Sequence, residues 1–123
     1  MKGVLVDTSV WVDHFRQRSD ALARLLGIDL VLMHPMILGE LACATPPERT
    51  TTLADLGRLE QAQHATLLEV MHFVDTEKLF GLGCGLVDMV LLTSTLLTPG
   101  ALLWTMDKRL CAAAGRFDVL YRP

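Results

Sequence analysis

Residues Val4–Asp13, VLVDTSVWVD, decide the fold. Val4, Leu5 and Val6 form a short apolar, mostly β-branched run, the pattern of a strand buried on both faces of a parallel sheet. Asp7 closes that run, and Thr8 or Ser9 is placed to cap a helix that enters through Val10 and Trp11. Open parallel sheets bind ligands beyond the carboxyl ends of their strands, so Asp7 stands where such folds do chemistry. Its plainer role is a helix cap or turn residue. Whether further acids join it decides between the two.

The rest of the chain repeats the alternation. Ser9 to Arg16 reads as a helix with Val10, Trp11, His14 and Phe15 on its apolar side, and Ser19 caps a shorter helix, Asp20 to Leu26, that stops at Gly27. Leu30 to Met33 is a second apolar strand, and Pro35 suits the first position of a helix carrying MILGELACA. Pro46 and Pro47 break that helix. Glu48 to about Gln63 then reads as a more polar one, with Leu53, Leu56 and Leu59 inward. Leu67, Met71 and Val74 keep helical spacing. The turn GLGCG, Gly81 to Gly85, opens a further helix, Leu86 to Leu97. ALLWTM is a third buried strand ending at Asp107, followed by a short helix, Lys108 to Ala114, and an edge strand over Val119 to Tyr121. Strands alternating with helices over residues 1–123 predict a single α/β domain with a small parallel sheet and right-handed crossovers.

Composition narrows the class. A chain of 123 residues, 51% hydrophobic and 20% charged, has the make-up of a globular domain. The sequence enters its first strand without a leader, and its longest apolar stretch, Met89 to Trp104, is too short and too interrupted to span a bilayer. Cys43, Cys84 and Cys111 share no paired spacing and sit among apolar residues, which predicts reduced core thiols in a cytoplasmic protein with no membrane association. The formal charge is −3, with no basic footprint at face value.

Four acids carry the chemistry. Asp107 repeats the position of Asp7 at the end of a buried strand, so neighbouring strands would set the two carboxylates side by side. Glu40 shares its helix face with Met36, Ile37, Cys43 and Ala44, and Asp88 with Leu91, Leu92 and Thr95. An ionised carboxylate on an apolar face costs several kcal/mol unless it is paired or holds a metal. An internal arginine partner is one solution, although no basic residue lies near Glu40 or Asp88 in sequence. The other is a hard divalent cation, Mg²⁺ or Mn²⁺, which takes a few carboxylates, keeps several waters, and completes its shell with phosphate oxygens. Such a site cleaves phosphodiesters. Thr105, two residues before Asp107, points to the same side of its strand and offers a hydroxyl to water or phosphate. Setting the four acids aside leaves 11 basic against 10 acidic residues, which weakens the charge objection to nucleic acid. Arg16, Arg18, Lys108 and Arg109 follow the two strand-end acids and are the candidate phosphate contacts. GLGCG lacks the lysine and spacing of a nucleotide loop, and the four histidines lack metal-binding spacing.

The segments VDTSVWVDH (Val6–His14), HPMILGELA (His34–Ala42), GLGCGLVDMVLLTS (Gly81–Ser94) and LWTMDKRL (Leu103–Leu110) together resemble the PIN domain, specifically the VapC-type toxins of bacterial toxin–antitoxin pairs. Leu86 stands where that family often has an aromatic residue, and Val90 where a histidine is common. The resemblance implies a three-layer PIN-like fold and an Mg²⁺- or Mn²⁺-dependent endoribonuclease in which a metal-activated water attacks an RNA phosphodiester. It implies Asp7, Glu40, Asp88 and Asp107 as the metal-binding quartet, with Thr105 as the hydroxyl beside the fourth acid. It also implies a homodimer inhibited by a VapB-type antitoxin. Two other functions fit a parallel sheet with acids at its edge. One is a receiver-like phosphoacceptor domain, which wants an acidic pair after the first strand where Asp7 is followed by Thr8. The other is a catalytically idle RNA- or protein-binding module.

Overall fold

The computed structural model describes residues 1–123 and sets the strand Gly3–Val6 (β1) inside a four-stranded, all-parallel sheet. The chain continues through α1 (Thr8–Arg16), α2 (Asp20–Gly27), β2 (Val31–Met33), α3 (Pro35–Ala42), α4 (Arg49–Leu56), β3 (Glu60–Gln61), α5 (Leu67–Thr76), α6 (Leu86–Leu97), β4 (Ala101–Trp104) and α7 (Lys108–Arg116). The seven helices flank the sheet, giving the expected three-layer, PIN-like α/β fold. Val4, Leu5 and Val6 are wholly buried, which explains their unbroken apolar run. At Gly3 a Cβ would meet the Leu32 side chain at 2.8 Å, so only glycine lets β1 and β2 approach here.

Strand order is β3-β2-β1-β4. The chain steps outward from β1 to β2 to β3, then returns through α5 and α6 to the far side of β1. Strand order therefore reverses between β1 and β4, and a crevice opens beyond the carboxyl ends of these two strands. Their register, Val6 opposite Trp104, is closed by Asp7 N–H donating to Trp104 O at 2.9 Å.

Most sequence expectations hold, and the departures have local causes. The polar helix expected to reach Gln63 ends at Leu56. Gly57 follows, and Glu60–Gln61 instead forms a two-residue edge strand, exposed, charged and too short to recruit another chain. The last strand reduces to one parallel bridge, Leu103 to Leu120, with Leu103 N–H donating to Val119 O at 2.7 Å. The cysteines are not core thiols. Cys43 caps the exposed end of α3, Cys84 is half-buried in the turn before α6, and Cys111 is half-buried within α7. No helix is long and apolar enough to cross a membrane. Within α6 the polar run Thr93, Ser94, Thr95 is buried because each threonine hydroxyl donates to the carbonyl four residues earlier, both at 2.7 Å.

Ser94 also joins a polar brace between α3 and α6. His34 caps α3, its Nδ1 accepting from Met36 N–H at 3.0 Å, while Nε2 lies 3.2 Å from Ser94 Oγ. Ser94 Oγ further accepts from Ala65 N–H at 3.1 Å. With Nδ1 an acceptor, the ring is neutral and its proton sits on Nε2, facing Ser94. Burial and the nearby His64 hold its pKa down at about 4. The unfolded chain binds that proton near the ordinary 6.5, so between these values only the unfolded state is protonated. The His34 contribution to stability is therefore whole above pH 6.5 and falls by about 3 kcal/mol as pH drops to about 4. His34→Asn keeps a capping acceptor without the titration. Urea midpoints at pH 7 and pH 5 should fall more for wild type than for His34→Asn, and equal falls would refute the brace as described.

Candidate metal centre

The site is assembled at the strand-order reversal from the first turns of three helices and the body of a fourth. Asp7 follows β1 and is itself the N-cap of α1, its Oδ1 accepting from Thr8 N–H at 2.8 Å. Neither Thr8 nor Ser9 is that cap. Their hydroxyls are turned instead to the acids, Thr8 Oγ1 donating to Glu40 Oε1 at 2.6 Å and Ser9 Oγ to Asp7 Oδ2 at 2.9 Å. Asp107 follows β4 and caps α7, with Oδ1 accepting from the N–H groups of Arg109 at 2.9 Å and Leu110 at 3.0 Å. Asp88 lies in the first turn of α6, and its Oδ2 accepts from Gly85 N–H at 3.2 Å. The GLGCG turn makes that entry possible through left-handed Gly81 and Gly83, φ +73° and +88°.

Glu40 corrects the sequence reading. It does not project from a buried face: α3 buries only Ile37 and Leu41, and Glu40, Met36 and Cys43 are all exposed. Asp7 is the buried member of the set, Asp88 is half-buried, and Asp107 is exposed. The four nevertheless share one field. Burial pushes the Asp88 carboxyl above the ordinary carboxylate range, the Gly85 N–H opposes that rise, and the charges of Asp7, Asp107 and Glu40 add to it.

None of the four acids forms an ion pair with a basic side chain. The two ion pairs of the chain, Arg58–Asp55 and Arg116–Glu77, lie elsewhere, so the internal-arginine solution is not the one adopted. Each of Glu40, Asp88 and Asp107 has one oxygen anchored by a protein donor and the other without any. Burial and the neighbouring acids push the thiols of Cys84 and Cys111 up, which keeps them protonated and leaves an all-oxygen donor set. No three His, Cys, Asp or Glu side chains stand close enough to hold one ion directly. That spacing fits a hard cation held by one or two carboxylates and linked to the others through its own waters. Mg²⁺ and Mn²⁺ meet the description; zinc, with its nitrogen and sulfur ligands, does not.

Thr105 is buried, and its hydroxyl proton is committed: it donates to Asp7 Oδ2 at 2.8 Å, while the oxygen accepts from Asp107 N–H at 3.1 Å. It binds the two strand-end acids to each other instead of offering its proton to water or phosphate. Among the candidate phosphate contacts, Arg16, Arg18 and Lys108 are exposed and make no side-chain hydrogen bond or ion pair. Arg109 is different. Its guanidinium lies over the turn before α6, with Nη1 3.5 Å from Gly83 O, where a Cβ on residue 83 would meet it at 2.8 Å. Sequence reasoning missed Thr8 and Ser9 as site residues, although hydroxyls one and two places after a strand-end acid are a readable signal.

No family model matches the chain. It is 43% identical over 116 residues to Ribonuclease VapC32 of Mycobacterium tuberculosis, in strains CDC 1551 / Oshkosh and H37Rv alike, and the match covers 94% of this chain and 94% of each relative. Identity of that extent, on a three-layer fold with four acids gathered where strand order reverses, means that this chain belongs to the VapC-type family of PIN-domain ribonucleases.

Proposed function

We propose that this protein is an Mg²⁺- or Mn²⁺-dependent endoribonuclease and the toxin of a cytoplasmic toxin–antitoxin pair, with a VapB-type partner. The observation that carries the reading is four carboxylates sharing one field with no ion pair to any of them. The relatives' name, Ribonuclease VapC32, supports RNA as the substrate.

Asp7, Glu40, Asp88 and Asp107 would hold the cation, one or two of them directly and the others through its waters. A divalent ion so bound supplies charge neutralisation for a phosphodiester and lowers the pKa of a water near it. Thr105 keeps the carboxylates of Asp7 and the backbone of Asp107 in fixed register. Arg16, Arg18 and Lys108 are free to meet RNA phosphates, whereas Arg109 orders the turn that delivers Asp88. A phosphoacceptor domain would close its pocket with a lysine, and no lysine side chain hydrogen-bonds to any of the four acids.

Partner surfaces differ from those expected in sequence. Val10, Trp11 and Leu56 are buried, and Phe15, Leu53 and Leu59 pack against the core. The exposed apolar residues instead include Leu67, Leu68 and Met71 of α5 with Phe80, Leu82 and Leu86. Met71, Phe80 and Leu86 edge a groove of about 560 Å³ between α5 and the start of α6. An apolar surface of this kind supports a homodimer contact or an antitoxin segment. Light scattering at tens of micromolar should return the mass of a dimer, and a monomer would count against that assembly.

Single-turnover cleavage of RNA in Mn²⁺ separates the acids. Asp7→Asn and Asp88→Ala should each slow cleavage by roughly two orders of magnitude or more while remaining folded, as loss of a charged ligand does. Asp118→Asn is the control, since asparagine tolerates the left-handed φ of +57° at that position, and it should cut at close to the wild-type rate. Equal rates for Asp88→Ala and Asp118→Asn would refute the site. Because the Asp88 carboxyl is raised, protons should compete with the cation at milder acidity than for an ordinary aspartate, and Mn²⁺ affinity should fall as pH is lowered.

A further inference from the structure

Ser9 Oγ takes two bonds that join distant parts of the chain. It donates to Asp7 Oδ2 at 2.9 Å and accepts from Met106 N–H at 3.1 Å, across 97 positions of sequence. Thr105 repeats the pattern one residue along, accepting from Asp107 N–H at 3.1 Å and donating to the same Asp7 Oδ2 at 2.8 Å. Two consecutive amides of the β4–α7 turn are thus relayed through two hydroxyls onto one carboxylate oxygen.

The direction of each relay is fixed. A hydroxyl carries one proton, and with an amide donating to its lone pair that proton is available to the carboxylate. Two donors fill Oδ2, since a carboxylate oxygen offers about two acceptor sites. Oδ1 takes only Thr8 N–H and keeps room for another partner. Terminal carboxylate torsions are broad, so without the second donor Asp7 would sample orientations that turn either oxygen outward. The Met106 bond has a second effect. It sets the height of the turn immediately before Asp107, and so the spacing between the two strand-end acids.

We infer that Ser9 is a positioning residue for the cation site: by joining Asp7 Oδ2 to the Met106 amide, it fixes which oxygen Asp7 presents and how far Asp107 stands from it. This rests on the cation reading proposed above. Ser9 is half-buried in the first turn of α1, where alanine is a good helix former, so removing the hydroxyl does not empty the core.

The test is Mn²⁺ binding followed by electron paramagnetic resonance of the free ion, with no RNA present, on wild type, Ser9→Ala, Ser9→Cys and Ser9→Thr. Ser9→Ala should weaken Mn²⁺ binding about tenfold, the usual cost of losing a group that orients a metal ligand. Ser9→Cys keeps the volume with a feeble donor and should weaken it similarly, which preserves the comparison if the alanine variant does not fold. Ser9→Thr restores the hydroxyl and should recover affinity to within a factor of about three, because its donor and acceptor capacity is the same. Wild-type affinity in both Ser9→Ala and Ser9→Cys would overturn the role of Ser9 and leave the cation site standing. No Mn²⁺ binding by wild type would overturn both.

Discussion

Mutual repulsion among four carboxylates is the constraint on which the site depends. Asp7, Glu40, Asp88 and Asp107 are brought into one field without an ion pair to any of them, and hydrogen bonds hold them there. Three of the acids are held at helix starts, where orphan N–H groups and the helix dipole favour negative charge. The fourth, Glu40, is held by the Thr8 hydroxyl from the start of α1. Helix beginnings thus supply an anchor for every acid. Capping and ligand placement are not alternatives here. Asp7 and Asp107 do both.

The sheet topology explains why the gathering happens at this place. β1 and β4 are neighbours in space but come from opposite ends of the chain, so the reversal of strand order puts Asp7 and Asp107 at adjacent strand ends. The connection through α5 and α6 then returns across the sheet and brings Asp88 over the same crevice. The brace from His34 to Ser94 keeps α3, which bears Glu40, fixed against α6, which bears Asp88. Thr93 and Thr95 answer their own helix carbonyls and leave Ser94 as the one free to reach across.

Much of this was legible in the sequence. Val4–Val6 and ALLW announced buried strands by composition, and the acids closing them announced the crevice, because strand burial and strand-end position are local properties. The range of α6, the Ser19 cap and the place of Pro35 at the first position of α3 were equally local. What the sequence hid depends on tertiary packing. Glu60–Gln61 carries no strand signal and pairs only because β2 presents an open edge. Glu40 looked buried because its helix neighbours are apolar, yet α3 turns only one narrow side inward. Ser9 and Thr105 each have one partner two positions away and another 97 or 98 positions away, so a local reading could find only half of what their hydroxyls do. Arg109 looked like a phosphate contact by position, and only the fold shows it lying across Gly83.

The central claim is that the gathered acids form a cation site and not an internally satisfied cluster. A cation that binds only the folded state must raise stability by mass action, by about 3 kcal/mol at a hundredfold excess over its dissociation constant. The most direct measurement is the melting temperature of the wild-type protein at neutral pH with and without millimolar Mn²⁺. The account predicts a rise of about 5 °C or more for a chain of this size. A midpoint that Mn²⁺ leaves unmoved would contradict it.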